Sequence, residues 1–419
     1  MKMKTEGSKE AYLYRVLYIM TGVVALFPVS CNYIMSGGIV TEWIARTEEL
    51  RMGLQAWELY LFPSAETFIN TGIRVNGMNS NFWFIIPAAL YLLTGKIVLT
   101  YRVYMLAVQT ATLCGAILFF RKVFGAEKTR LPAFIATLLY MTCPYRIYVC
   151  YDLANLSQAT AWMLLPFYAW AIAGVVMGEK RRKFGKKEIF NLFIAALLLA
   201  GIGYADVIFF LIATGITVFI AVALRRLWPL ASLAAGSACF LPGLYRLAQY
   251  LFTGAYAELE MPLKPIMGEG YRFGQYFGSY AFRDGHPGMG MGMLLCLLTG
   301  LWLKFVKARG EEKKKGTFFT VLSLVLIFFS FRHFPWDYVQ RMGAWALKLV
   351  SLIDTPAVFW GAGFLFLCVP AGYAMKGIRK HEDTVAAYAI PVMVILFCIG
   401  ICVYQCNTLT YNRLPLITP

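Results

Sequence analysis

The chain has 419 residues, 59% of them apolar and only 15% charged, with a mean hydropathy of +0.62. A water-soluble domain of this length needs more polar surface, so the composition excludes a soluble globular protein. The formal net charge of +17 invites a nucleic-acid reading. It is excluded because the basic residues crowd into short turns beside apolar runs, where they anchor topology and meet anionic headgroups.

The apolar residues gather in runs of about 15–22, the length at which a helix crosses hydrocarbon; a barrel would show alternating runs near ten. In chain order the runs predict eleven spans: 15–35, 98–120, 131–145, 157–177, 189–204, 207–224, 228–245, 287–306, 317–332, 356–375 and 384–404. With the amino terminus inside, the tail Lys2–Arg15 and the turns Arg121–Arg130, Gly178–Glu188, Arg225–Arg226, Lys304–Lys315 and Lys376–Asp383 are cytoplasmic. That threading puts about 25 of the 39 basic residues inside with about 9 of the 22 acidic ones, a skew of the kind the positive-inside rule produces. The expectation is an all-α polytopic protein of the plasma membrane, one transmembrane domain over 1–419, its amino terminus cytoplasmic and its carboxyl terminus outside. The first apolar run, Leu17–Met35, is longer than a signal-peptide core and reads as a retained span.

Three outward segments are long: the first loop over 36–96, the second over 246–287, and Arg332–Pro356. In the first, Thr41–Leu61 predicts a helix lying on the membrane. Trp43, Thr47, Leu50, Leu54, Trp57 and Leu61 share one face, and Glu42, Arg46 and Glu49 line the opposite side. Asn81–Leu93 predicts a second, partly inserted helix leading to Gly95. Elsewhere, Asn155 with Gln158 has the spacing of a helix cap and its return partner. Asp206, the sole charge in the turn Gly203–Val207, reads as a turn residue or one facing a polar cavity, and Asp354 reads as a cap of the span that follows it.

The ten cysteines contain no C-x-x-C and no Cys/His cluster. Cys398, Cys402 and Cys406 share one helical face, as small packing residues do. Asp284, His286, Arg332, His333 and Asp337 lack metal-ligand spacing, so no metal centre and no cofactor is expected, a divalent-ion requirement being left open. Gly288, Gly290 and Gly292 open a span rather than follow a strand, which predicts close helix packing and not nucleotide binding.

A series of short motifs runs through the chain. Gly37–Leu50 (GGIVTEWIARTEEL) follows span one, then come Asn81–Gly95, Tyr101-Arg102, Cys143–Tyr151 (CPYRIYVCY), Ala154–Ala159 (ANLSQA) and Leu165-Pro166. Farther on stand Gln275, Gly288–Gly292 and Phe334–Asp337 (FPWD). In this order they resemble the bacterial YfhO-like membrane proteins, including those labelled 6-pyruvoyl-tetrahydropterin-synthase-related, within the GT-C class of polytopic glycosyltransferases. The resemblance implies a GT-C-like bundle that moves a sugar from a polyprenyl-phosphate carrier, at the outer face, to an envelope glycan, lipid or protein. At the family's Gly-His-Asp this chain has Gly37, Gly38 and Ile39; the next His is Trp43, and Arg46 is retained. The family's Arg and Glu around span four are Leu153 and Gln158, and its final motif keeps Pro356 with Val358 at the Arg position.

Sugar transfer from a phosphate carrier asks for a carboxylate to take the acceptor proton and cations to hold the phosphate. Glu42 or Glu49 could stand in for the family's Asp, or the two could belong to a solvated helix face with local ion pairs. Candidate substrate-binding residues are Arg46, Arg102, Arg146, Asp152, Gln158, Arg272 and Arg341. Arg283, Arg332, Tyr271, Tyr276 and Tyr280 stand near the last two in sequence. Guanidinium forks suit phosphate and tyrosines stack on sugars, although headgroup contact explains the same residues. Two alternatives stay open: a catalytically degenerate relative that binds lipid-linked sugar or a partner, and a lipid-linked sugar transporter. The transporter would need ionisable residues deep in several spans and paired repeats. The partners expected are therefore a polyprenyl-phosphate-linked sugar and membrane lipids.

Overall fold

A computed structural model describes every residue except 1, 31–33, 36–38, 60, 64–77, 126–129, 178–184, 254–265, 278–286, 308–310, 354, 380–384, 413–414 and 418–419. Gly38, Asp284, His286, Arg283, Tyr280 and Asp354 thus lie outside the described residues. Among the described residues the regular structure is helical apart from one short pair of strands and an isolated bridge.

Helix α1 (Lys2–Ala25) stops well before the expected Met35. A short 3-10 stretch, Phe27–Ser30, contains Pro28, whose missing N–H and fixed φ suit a helix start rather than its continuation. Strand β1 (Ile34–Met35) then pairs antiparallel with β2 (Pro415–Ile417). Pro415–Ile417 thereby pack against the segment that follows the first helix.

Helix α2 (Val40–Gln55) is followed by a 3-10 turn, Phe82–Phe84, and α3 (Ile85–Thr94), which Gly95 ends in the left-handed conformation at φ 64°. Helix α4 (Ile97–Phe124) crosses next. Helix α5 (Arg130–Met141) bends by 42° into α6 (Pro144–Ile147), where Pro144 restarts the helix and leads into a π turn, Tyr148–Asp152. Helix α7 (Leu156–Val176) starts at Asn155, whose side chain accepts from Gln158 N–H at 3.0 Å. Helices α8 (Lys186–Ala205) and α9 (Val207–Ala223) meet at Asp206, whose carboxylate accepts from Ile208 and Phe209 N–H. Asp206 stands in the turn between the two helices as expected and also caps α9, but it is buried rather than at the surface.

Helix α10 (Trp228–Cys239) turns by 77° into α11 (Leu241–Thr253). Pro242 restarts the helix there, and the buried Phe240 ring packs onto Gly203 and Gly243, where any Cβ would collide with it. The remaining helices are α12 (Phe273–Phe277), α13 (Met291–Lys307), α14 (Glu311–Ser330), α15 (Trp336–Gln340), α16 (Ala344–Ser351), α17 (Ala357–Arg379) and α18 (Val385–Asn412).

Among the described residues, five helices (α4, α7, α8, α17 and α18) are long and apolar enough to cross a membrane, or up to seven crossings if each bent pair counts as one. The protein is a polytopic helical membrane protein. The other apolar runs fall on helices that are shorter, broken or charged at one end.

Helix α17 is central, with 83% of its apolar window buried against α14, α5 and α13. Gly361 lets it approach so closely that an added Cβ would lie 2.2 Å from the Trp162 ring. Gly292 does the same at Cys398, the helix packing expected of the glycine run and of the cysteine face.

Candidate functional site

Helix α2 holds the densest set of buried charges described. At about 100° per residue, Val40, Trp43, Thr47 and Leu50 fall on one stripe, with Arg46 and Gly53 just beside it and Glu42 and Glu49 at its edge. All except Glu42 are buried, so about half the helix circumference is covered. The reason is packing on two sides. Trp43 meets Tyr101 and Tyr104 of α4 edge-on or tilted at 5.5 and 6.3 Å, while the turn Met78–Asn81 and α3 close over the charged edge.

This corrects the expectation of a membrane-surface helix with a solvated polar face. Arg46 is fully buried, Glu49 is 4% exposed, and the Glu42 side chain retains 13%. Trp57, expected to anchor the helix, is 96% exposed and lies past its end at φ 60°. The helix stops at Gln55 rather than Leu61.

The Arg46 guanidinium donates to Glu42 Oε1 at 2.9 Å and to Asn79 O at 3.3 Å, and lies over the Phe84 ring at 5.4 Å. Asn81 Nδ2 donates to Glu49 Oε2 at 3.4 Å. Burial, the largest influence, pulls the Arg46 pKa down, and Glu42 and Glu49 push it back up. A guanidinium stays charged in such surroundings, so its desolvation must be offset by its partners. The sequence carries a signal for this that the facial reading passes over. One cation sits between two carboxylates at i−4 and i+3, the arrangement a buried charge needs.

Leu50 is wholly buried and Gln55 is exposed on the same helix. Leu50→Asp is expected to cost at least about 2–3 kcal/mol of loop docking and to speed proteolysis of the first loop in membranes, with Gln55→Asp unchanged. Equal protease sensitivity of the two variants would contradict this packing.

The other candidates divide. Arg146 is buried in the bent segment, where it donates to Met141 O at 2.8 Å and to Gln109 Oε1. Gln109 Nε2 donates to Tyr151 OH at 3.1 Å, and Tyr151 OH to Ala25 O at 2.7 Å. This polar chain ties α1, α4 and the α6 region together. Arg102 is half-buried and donates from Nε to Val29 O at 3.1 Å. Gln158 is buried at the start of α7, and Asp152 is half-buried at the end of the π turn.

Arg272 and Arg341 are exposed, and neither side chain is hydrogen-bonded or ion-paired to a described residue; Arg341 lies 5.9 Å from the Tyr338 ring. A parallel bridge between Tyr271 and Phe331, with Arg332 N–H donating to Tyr271 O at 2.9 Å, sets Arg272 and Arg332 on adjoining segments. Gly270 permits it: an added Cβ would lie 2.7 Å from Arg332 Cα. Tyr271 and Tyr276, expected as open stacking rings, are buried; Tyr271 donates to Pro287 O at 3.0 Å, and Tyr276 shares a hydrogen bond with Ser330 at 2.6 Å. No group of three or more His, Cys, Asp or Glu among the described residues is placed to hold a metal.

One backbone contact joins the two motif regions directly: Ile39 N–H donates to Leu153 O at 2.9 Å. The first loop therefore sits on the exit of the bent α5–α6 segment.

No family model and no curated protein matches the chain. Among solved structures it is similar to a cryo-EM structure of the arabinofuranosyltransferase AftD from Mycobacteria, with a TM-score of 0.45 and 14% identity. The match covers 95% of this chain but only 27% of that one, and the arabinofuranosyltransferase activity is that of the mycobacterial protein.

Proposed function

We propose that the chain is a GT-C-like membrane glycosyltransferase, a single transmembrane unit over 1–419 with about eleven spans and the loops 36–96 and 246–287 outside. It transfers a sugar from a polyprenyl-phosphate carrier to an envelope acceptor. The observation that carries this reading is Glu42, the least enclosed carboxylate of a buried ion-pair cluster in the first loop. It stands one turn from the retained family residue Arg46 and three positions after Ile39, where the family has its Asp. In this reading Glu42 takes the proton of the acceptor hydroxyl as that oxygen bonds to the anomeric carbon, and the bond to the carrier phosphate breaks. Arg46 orients the base. Arg272 and Arg341 carry the open guanidinium groups suited to the leaving phosphate.

A second reading has its own support. Positions 39 and 153, where the resemblance implies an Asp and an Arg, touch through their backbones and are both apolar here. Two positions to which the resemblance gives a charge are thus apolar here, as expected of a degenerate relative that binds lipid-linked sugar without turnover. The deciding experiment is transfer of radiolabelled sugar from polyprenyl-phosphate donors in membranes carrying the chain. Donor binding with no transfer overturns the enzyme and leaves the binder.

Orientation is tested separately. Trp57 and Arg225 are both exposed, the first in the proposed outer loop and the second in a proposed inner turn. In a background without other cysteines, Trp57→Cys should react with an impermeant thiol reagent in intact cells and Arg225→Cys only after permeabilisation. The reverse pattern would invert the topology.

A further inference from the structure

A cavity of about 840 Å³ opens between α4, α7, α9, α14 and α17. It lies toward the opposite ends of α4 and α7 from those that meet the first loop, since its walls take Phe119 of α4 and Leu165–Met177 of α7. Phe119, Ile172, Ile216, Phe318 and Phe366 make the body apolar, and the hydroxyls of Tyr168 and Thr217 satisfy each other at 2.6 Å. Three of the five helices are long and apolar enough to cross a membrane, and the apolar body lies among their apolar stretches. A roomy apolar space there offers water too few partners, and its volume is within the ~300–1,000 Å³ usual for ligand sites.

The mouth has the opposite character. Arg226, Lys314 and Lys315 stand together in the lining there, and none of the described lining residues is acidic. Arg226 is fixed in place by donating to Val176 O at 2.6 Å, at the end of α7. The charge map puts this end in the cytoplasmic leaflet, where the anionic headgroups concentrate.

We propose that this cavity binds one acyl phospholipid with an anionic phosphate head group, its chain in the apolar body and its phosphate against Arg226, Lys314 and Lys315. The site is independent of the first-loop cluster and of whether the chain transfers sugar.

The test uses the full chain, purified and stripped of lipid in mild detergent. It is titrated with phosphatidylglycerol, with phosphatidylcholine of the same chains and with polyprenyl phosphate, bound lipid being read by native mass spectrometry. One phosphatidylglycerol per chain should bind at least tenfold more tightly than phosphatidylcholine. Lys314→Gln with Lys315→Gln should weaken it roughly thirtyfold, about a factor of five per lysine. Ile216→Trp, which fills the body, should abolish retention; should that variant not fold, the lysine pair still decides. Equal binding of the two phospholipids with no effect of the lysine changes overturns the site. Preference for polyprenyl phosphate over phosphatidylglycerol overturns the occupant.

Discussion

Glu42→Gln is expected to lower sugar transfer about 10²–10⁴-fold while leaving donor binding in place, the usual consequence of removing a positioned base. The change is conservative for the fold. The amide oxygen can still accept from Arg46 Nη2, which now meets the carboxylate at 2.9 Å, and the side chain already reaches solvent at 13% exposure. Glu49→Gln should matter far less for turnover, because that carboxylate is buried and engaged by Asn81. The measurement is initial transfer rate at saturating donor, beside direct donor binding. Loss with Glu49→Gln but not Glu42→Gln would move the base one step along the cluster. Full activity in both variants would remove the first loop from the chemistry.

Arg46→Ala is expected to destabilise the protein by about 3–5 kcal/mol, the range seen when one member of a buried charge pair is removed. Arg46 is fully enclosed, and without it Glu42 and Glu49 lose the buried cation that lies between them in the helix. Thermal unfolding in detergent and proteolysis of the first loop report the loss. Neutralising all three, as Glu42→Gln, Arg46→Met and Glu49→Gln together, should recover much of it, because an apolar replacement also relieves the desolvation of the charges. An unfolding midpoint for Arg46→Ala equal to that of the wild type would show that the cluster contributes nothing to docking α2. The two predictions separate by size: the first changes rate at a small cost in stability, since Glu49 and the retained amide oxygen still face Arg46, and the second changes stability before rate.

How far the site was legible differs from residue to residue. The Asn155 cap and the Asp206 turn could be read from sequence, because a side chain that bonds an N–H two or three residues ahead needs only local backbone. Trp43 and Leu50 were legible as a buried face from their spacing. Arg46 and Glu49 were not: helical periodicity tells which residues share a stripe but not how wide an arc the neighbours cover. That arc was widened by Asn79, Asn81 and Phe84, more than thirty positions away. Tyr271 and Tyr276 were misread for the same reason, since a bridge to Phe331 and a hydroxyl contact with Ser330 bury rings that an isolated loop would expose.

Composition and local pattern alone determined the solvent, the helical class and the boundaries of most of the long helices. Hydrophobic length, flanking charge, proline and glycine act over a few residues and need no partner. Tertiary structure alone decided the rest: the buried Arg46 cluster, the contact of Ile39 with Leu153, the return of β2 to β1, and the basic-mouthed cavity among five helices. Each depends on segments distant in the chain packing together, which no run of adjacent residues encodes.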